Sequence, residues 1–166
     1  MIRLNTIPHP PKDIRREAAR RILLLDGGLG TMIQRFGLGE REYRGARFAD
    51  WRQPLRGCND LLCLTCPEVI RAIHESYLRA GSDIITTDTF NANALSLAEY
   101  GLQDFVYEIN RAGAALARAT ADEFTARNPS KPRFVGGSMG PTGHTLSIST
   151  DVDDPAGRTA SFTELA

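Results

Sequence analysis

The residues of this chain best suited to chemistry are Asp26, Gly27 and Gly28, which directly follow four bulky aliphatic residues at 22–25. An unbroken aliphatic run is typical of a parallel strand that is covered on both faces. The glycines can adopt positive φ, and without a Cβ they let a ligand approach the backbone. A helix that begins near Gly30 would point unpaired N–H groups, and the positive end of its dipole, at the same place.

This arrangement predicts a site for an amino acid zwitterion. The Asp26 carboxylate can pair with an ammonium group, and the backbone N–H groups that follow it can bind a carboxylate. A second interpretation needs no ligand, because an aspartate between a strand and a helix can also cap the helix. Short glycine motifs occur in many unrelated proteins, so spacing alone leaves both interpretations open.

Two further strands are predicted, and each ends in small or polar residues. Residues 83–90 are rich in β-branched side chains, and residues 133–138 follow a break that contains two prolines. Helices are predicted at 13–21, 30–36, 65–81, 91–101 and 103–127. The alternation predicts an α/β fold with parallel strands, whose carboxyl ends share one edge, where ligands bind in such folds.

The clearest helix signal lies between Thr65 and Gly81. Thr65 and Glu68 have the spacing of a capping box, and Pro67 suits a first helical turn. Apolar residues then recur at helical spacing as far as Gly81, a residue suited to ending a helix. Before this helix, residues 38–59 are charged and irregular, and their aromatic side chains predict a loop that packs against the protein.

The C-terminal part of the sequence carries two weaker signals. His144 lies in a polar loop at 142–155 and can face either the predicted ligand edge or, more commonly for a loop histidine, solvent. Ser161 and Glu164 have the spacing of a capping box, which predicts that a helix begins near the last residue of the sequence.

The composition argues against several classes of partner. The 166 residues include twenty basic and twenty acidic residues, so the formal net charge is zero and no global field attracts nucleic acid. No apolar run approaches the ~18 residues that span a bilayer. The apolar run after the basic N-terminal residues is too short for a signal peptide. The sequence therefore predicts a cytoplasmic protein without a nucleic-acid partner or a membrane segment.

Four motifs, in order, resemble the homocysteine S-methyltransferase family. They are LLLDGGLGTMIQ, FADW, the long segment NDLLCLTCPEVIRAIHESYLRAGSDIITTDTFNAN, and GSMGPTG. The resemblance runs from residue 22 to residue 166 and is most specific to the homocysteine-binding module of the cobalamin-dependent methionine synthases. It divides the chain into a lead-in with a short helix at 1–21 and a barrel segment at 22–166.

The resemblance implies a TIM barrel, of which this chain would supply the first three of eight βα units. It implies methyl transfer to the thiolate of homocysteine, which forms methionine. Zinc would bind the homocysteine thiol through cysteines on later strands, beyond the end of this chain, so the fragment would be inactive alone. In the methionine synthases the methyl group is carried on cobalamin and replenished from methyltetrahydrofolate by later modules.

The substrate-binding residues that the resemblance implies are Asp26, Gly27, Gly28, Thr89, Asn91, Ser138 and Gly140. The first three form the motif that contacts the amino acid part of homocysteine, which agrees with the chemistry expected of them. The other four follow the second and third predicted strands. The family often has asparagine at position 88, so Asp88 adds a carboxylate that can change how the substrate ammonium or a water is held.

The three cysteines allow a different hypothesis. Cys58, Cys63 and Cys66 have the spacing C-x4-C-x2-C, which is superficially similar to a metal site, and His74 is a candidate fourth ligand. In the family these positions are not the zinc ligands. Cys63 lies in an apolar run and is expected to be buried, whereas Cys66 is expected at a helix start, where a thiol can be reactive.

Three functions therefore stay open on the sequence alone. The first is the homocysteine-binding part of a zinc-dependent homocysteine S-methyltransferase. The second is a small metal-binding module at the three cysteines. The third is a non-catalytic βα domain that binds an anion or an amino acid at the glycine pair.

Overall fold

The computed structural model describes residues 13–142, 152–154, 156–158, 161 and 163 of the chain. His144 lies outside the described residues, as does most of the helix expected to begin at Ser161. The α-helices are α1 (Ile14–Ala18), α2 (Leu29–Gln34), α3 (Glu40–Arg44), α4 (Leu62–Thr65), α5 (Pro67–Ala80), α6 (Ala94–Ala98) and α7 (Val106–Arg127), and 3-10 turns occupy Asn59–Leu61 and Gln103–Phe105. None of the helices in the described part combines the length and the apolar character needed to cross a bilayer.

The described residues form one small parallel sheet. Strands β1 (Ile84–Thr86) and β2 (Phe134–Gly136) pair in parallel along their whole length. On the other side of β1, Leu25 forms a parallel bridge to Ile84. Three chain segments therefore lie side by side with β1 in the middle, which confirms the mixed α/β class and the parallel direction of the strands.

All three strands are shorter than predicted. The segment at 22–25 contributes one bridging residue, and the predicted strands at 83–90 and 133–138 each keep three residues. Beyond the third residue of β1, the Thr87 N–H still donates to the Gly136 carbonyl, and the Thr87 and Thr89 hydroxyls then bond the backbone of Ser138. The β-branched run was therefore a good guide to the existence of a strand but not to its length.

The expectation that residues 22–25 are covered on both faces is wrong for the described part of the chain. The exposed fraction is 86% for Ile22 and 60% for Leu25. The described part of the chain pairs this segment with β1 alone and leaves most of the surface of Ile22, Leu24 and Leu25 uncovered.

The helices agree more closely with the sequence. Gly81 ends α5 in the left-handed region at φ 116°, as predicted, but the expected capping box at Thr65 is wrong. Thr65 is the last residue of α4, and its hydroxyl donates back to the Leu61 carbonyl at 3.4 Å. Helices α5 and α7 pack against each other and against the sheet, and their buried apolar side chains form one part of the core, to which residues 43–66 contribute about equally.

The predicted packing of the loop at 38–59 is confirmed. Phe48, Trp51 and Phe105 form an edge-to-face cluster with ring centroids 5.2–5.8 Å apart. The Arg44 guanidinium pairs with Glu40 and donates to several carbonyl oxygens of the loop. The loop is thus held by its own aromatic and charged side chains, which positions the residues directly before α4.

Candidate functional site

Asp26 lies at the carboxyl end of its segment, beside the last residue of β1. Its N–H donates to the Ile84 carbonyl at 2.9 Å, and its carboxylate accepts the Thr86 N–H at 2.8 Å and the Thr86 hydroxyl at 3.1 Å. In a regular parallel ladder, the Thr86 N–H would donate to a backbone carbonyl of the neighbouring segment. The Asp26 side chain replaces that carbonyl, which ends the pairing at the edge where the strands finish.

The electrostatic setting of Asp26 suits a cationic ligand. The side chain is half-buried, and burial raises the pKa of its carboxyl, an effect that the Thr86 hydrogen bonds oppose. Among the described residues no ion pair joins Asp26 to a basic side chain. A ligand ammonium at this carboxylate would stabilise its charged form.

Gly27 and Gly28 are needed for a reason that differs from the predicted one. Neither adopts positive φ, so the wider conformational range of glycine is not used here. A Cβ on Gly27 would lie 3.0 Å from the hydroxyl oxygen of Tyr77, a residue of α5. The Tyr77 hydroxyl donates to the Gly28 carbonyl at 3.2 Å, and the Thr31 hydroxyl donates to the same carbonyl at 3.0 Å. The turn is therefore held by the Tyr77 and Thr31 side chains, which can approach the glycine backbone because it carries no Cβ.

The helix that follows the turn begins at Leu29, close to the predicted start at Gly30. Gly28 occupies the N-cap position of α2, and no side chain caps this helix. The alternative interpretation, in which Asp26 caps the helix, is wrong because its carboxylate is bonded to Thr86. The carboxylate is thus directed toward β1 rather than toward α2.

Thr89 and Ser138 belong to a hydrogen-bond network that joins the ends of β1 and β2. The Thr89 hydroxyl donates to the Ser138 carbonyl at 2.8 Å, and the Ser138 N–H donates to the Thr87 hydroxyl oxygen at 2.9 Å. The two threonine hydroxyl oxygens are 2.6 Å apart. Because the Thr89 hydrogen is used by Ser138, Thr87 is the donor between them. Thr89 is buried, so in this structure it fixes the edge instead of facing solvent.

Asn91 and Gly140 lie on the loops that continue from this network. Asn91 is exposed, and its N–H donates to the Asp60 carboxylate at 2.9 Å. The Gly140 N–H donates to the Phe90 carbonyl, and a Cβ at Gly140 would lie 2.5 Å from the Phe90 ring. Neither residue has a hydrogen bond to Asp26 in the described part of the chain, so the seven predicted site residues form two groups.

Asp60 and Asp88 are two buried carboxylates near the second group. Burial, with the Asp60 charge as a second cause, raises the pKa of Asp88 to about 7. Burial also raises the pKa of Asp60, opposed by the Asn91 N–H. The sequence marked Asp88 as a departure from the family but gave no sign that Asp60 is buried beside it.

Two residues that hold the Asp26 turn were missed as site residues. Thr86 was part of a predicted strand, and Tyr77 was identified only as an apolar position of a helix. Each is about fifty or sixty residues from its partner along the chain. Only their chemical types, a hydroxyl at a strand end and a tyrosine on an amphipathic helix, were available as signals.

The described residues do not fit a zinc site. All three cysteines are free and buried, and burial raises the pKa of Cys58 to about 12 and also raises those of Cys63 and Cys66. His74 is fully buried, and burial lowers its pKa to about 4. Zinc needs thiolates or accessible imidazoles. No cluster of three metal-ligating side chains occurs in the described ranges, so the expected reactivity of Cys66 and the cysteine metal module are not supported.

Comparison with known proteins agrees with this fold. A model of the homocysteine S-methyltransferase family matches residues 23–166. The crystal structure of the homocysteine methyltransferase MmuM from Escherichia coli in its metallated form is similar, with 25% identity, a TM-score of 0.61, and coverage of 78% of this chain and 42% of that one. Its oxidized form gives 26% identity, a TM-score of 0.60, and coverage of 77% and 40%.

The fold and the family match are consistent with each other. The small parallel sheet, with helices between its strands, matches part of a homocysteine methyltransferase barrel. The chain belongs to the homocysteine S-methyltransferase family. It spans about two-fifths of the length of the solved structures that it matches.

Proposed function

We propose that the edge around Asp26 binds the amino acid part of homocysteine in a methyltransferase of the methionine synthase type. The observation that carries the proposal is the Asp26 carboxylate, half-buried at the carboxyl end of the parallel segments and without a basic partner in the described residues. Family membership supports homocysteine as the substrate. The carboxylate would hold the substrate ammonium, and the exposed Gly27–Gly28 backbone would lie beside its carboxylate.

The role of this edge in the reaction is to position the substrate. The homocysteine sulfur loses its proton and attacks a methyl group, so that a carbon–sulfur bond forms while the bond between methyl and donor breaks. The donor leaves with the electron pair. By holding the amino group, Asp26 fixes the direction from which the sulfur approaches, and the Thr86 hydrogen bonds keep the carboxylate in place.

The wider context is part of the same proposal. We infer that the three parallel segments are the first three strands of an eight-stranded barrel, supported by the match to part of the MmuM structure. Zinc would be bound by cysteines other than Cys58, Cys63 and Cys66, because these thiols are buried and have raised pKa values. The sequence motifs support cobalamin and methyltetrahydrofolate as the methyl carrier and source of the complete protein.

Calorimetric titration distinguishes this proposal from an anion-binding domain. We expect saturable binding of L-homocysteine and none of inorganic phosphate. Asp26→Asn keeps an oxygen for the Thr86 N–H but removes the charge, and it should weaken homocysteine binding at least about tenfold. The matched control Asp104→Asn, at an exposed position, should bind as the wild type does. Binding of phosphate without a response to homocysteine would contradict the proposal.

A further inference from the structure

A second site is suggested by a cavity of about 180 Å³ between residues 57–60, which precede α4, and residues 91–100, which include α6. Its polar lining includes Asp60, Asn91, Ser96, Glu99 and Tyr100. None of the residues at 26–28 lines it, so it is separate from the Asp26 turn, although Asn91, one of the substrate-binding residues that the resemblance implies, lies in its wall.

The wall of this cavity contains a buried charge without a counterion. Asp60 is 3% exposed, and its Oδ1 accepts the Asn91 N–H at 2.9 Å. The neighbouring Asp88 is 5% exposed, and its Oδ2 has no hydrogen-bond partner in the described part of the chain. No described basic side chain lies within 4 Å of either carboxylate. Buried carboxylates are normally paired or protonated, so a positive charge at this place would stabilise the ionised form of Asp60.

The lining indicates which kind of cation fits. Carboxylate, hydroxyl and amide oxygens dominate it, and these accept the three hydrogen bonds that a primary ammonium donates. A quaternary ammonium prefers several aromatic faces, and the lining offers one, that of Tyr100. Within the described ranges no group of three metal-ligating side chains is placed to hold a metal ion. We propose that this cavity binds the primary ammonium group of a small molecule, with the Asp60 carboxylate as its counterion.

The chain contains a natural reporter for such binding. Trp51 is the only tryptophan, and its indole N–H donates to the Tyr100 carbonyl at 2.9 Å. A ligand that contacts Tyr100 should therefore change the fluorescence of Trp51 and the NMR signal of its indole N–H.

The test is a titration of the complete chain with ethylammonium chloride at about pH 8, where carboxylates are readily ionised. We expect a saturable change in the Trp51 signal, and at least about tenfold weaker binding of tetramethylammonium, which donates no hydrogen bond. Sodium chloride at matched ionic strength corrects for screening. The absence of a saturable response to ethylammonium, or equal binding of tetramethylammonium, would overturn the proposal.

Substitutions test whether the ethylammonium response arises from binding in this cavity. Asp60→Asn should weaken ethylammonium binding at least about tenfold, whereas Asp104→Asn, which removes an exposed charge, should not change it. Glu99→Gln alters an exposed lining residue without a risk to folding and should weaken binding about threefold. Asp26→Asn should leave ethylammonium binding unchanged, which separates this proposal from that for homocysteine. Equal affinities of the wild type, Asp60→Asn and Glu99→Gln would contradict it.

Discussion

Asp88→Asn is expected to stabilise the protein above about pH 7 and to leave its stability nearly unchanged near pH 4. In the folded protein, burial and the charge of Asp60 raise the pKa of Asp88 from 3.8 to about 7. Between these values the unfolded chain loses its proton while the folded protein retains it, so the free energy of unfolding falls as the pH rises. Above about pH 7 the full cost is present, roughly 2–4 kcal/mol. Asparagine has no charge to bury and avoids that cost.

Thermal unfolding at two pH values measures this effect. At about pH 8 the melting temperature of Asp88→Asn should exceed that of the wild type by about 5–10 °C, and at about pH 4 the two should agree within about 2 °C. The exposed variant Asp104→Asn should show no such dependence on pH. If the melting temperature of Asp88→Asn differed from that of the wild type by the same amount at both pH values, Asp88 would not titrate as the structure implies.

Asp83→Ala is expected to loosen the segment that carries Asp26. Asp83 is almost fully buried, and its Oδ2 accepts the Leu24 N–H at 3.0 Å and the Arg21 guanidinium at 2.9 Å. Burial alone would raise the pKa of Asp83, but these two bonds and the charge of Lys131 outweigh it and leave the pKa low. Removing one partner of a buried pair costs about 3 kcal/mol, because the other groups lose their partner.

Urea unfolding and amide hydrogen exchange test whether Asp83→Ala loosens the segment that carries Asp26. Asp83→Ala should lower the free energy of unfolding by about 3 kcal/mol. It should also speed amide hydrogen exchange at Asp26, whose N–H donates to the Ile84 carbonyl. The control is Asp122→Ala, which breaks an ion pair with Arg118 at a carboxylate that is 62% exposed, and it should cost less than about 1 kcal/mol. Equal losses for the two variants would contradict a special role for Asp83.

The position of Asp26 could be predicted because the signal is local. An aliphatic run that stops at a carboxylate and two glycines predicted an extended segment that ends at Asp26, and Leu25 does pair in parallel with Ile84. The partners of this turn could not be predicted, because Thr86 and Tyr77 meet it only through the packing of β1 and α5. For the same reason the sequence could not show that Gly27 leaves space for the Tyr77 ring.

Burial was the property that the sequence described least well. The aliphatic residues at 22–25 suggested a covered strand, yet Leu24 and Leu25 are more than half exposed in the structure. Conversely, Asp60 and Asp88 are polar residues that sequence patterns place near the surface, and both are buried. Periodicity indicates which side of an element is apolar, but only the tertiary arrangement determines whether another element covers that side.

The most direct test of the central claim compares homocysteine with 4-mercaptobutanoate, which lacks the amino group, on the wild type and Asp26→Asn. If the Asp26 carboxylate binds the ammonium, the wild type should prefer homocysteine at least about tenfold, and Asp26→Asn should bind the two ligands within about threefold of each other. A preference of the same size in both proteins would mean that the amino group is held elsewhere, and the account given for this edge would be wrong.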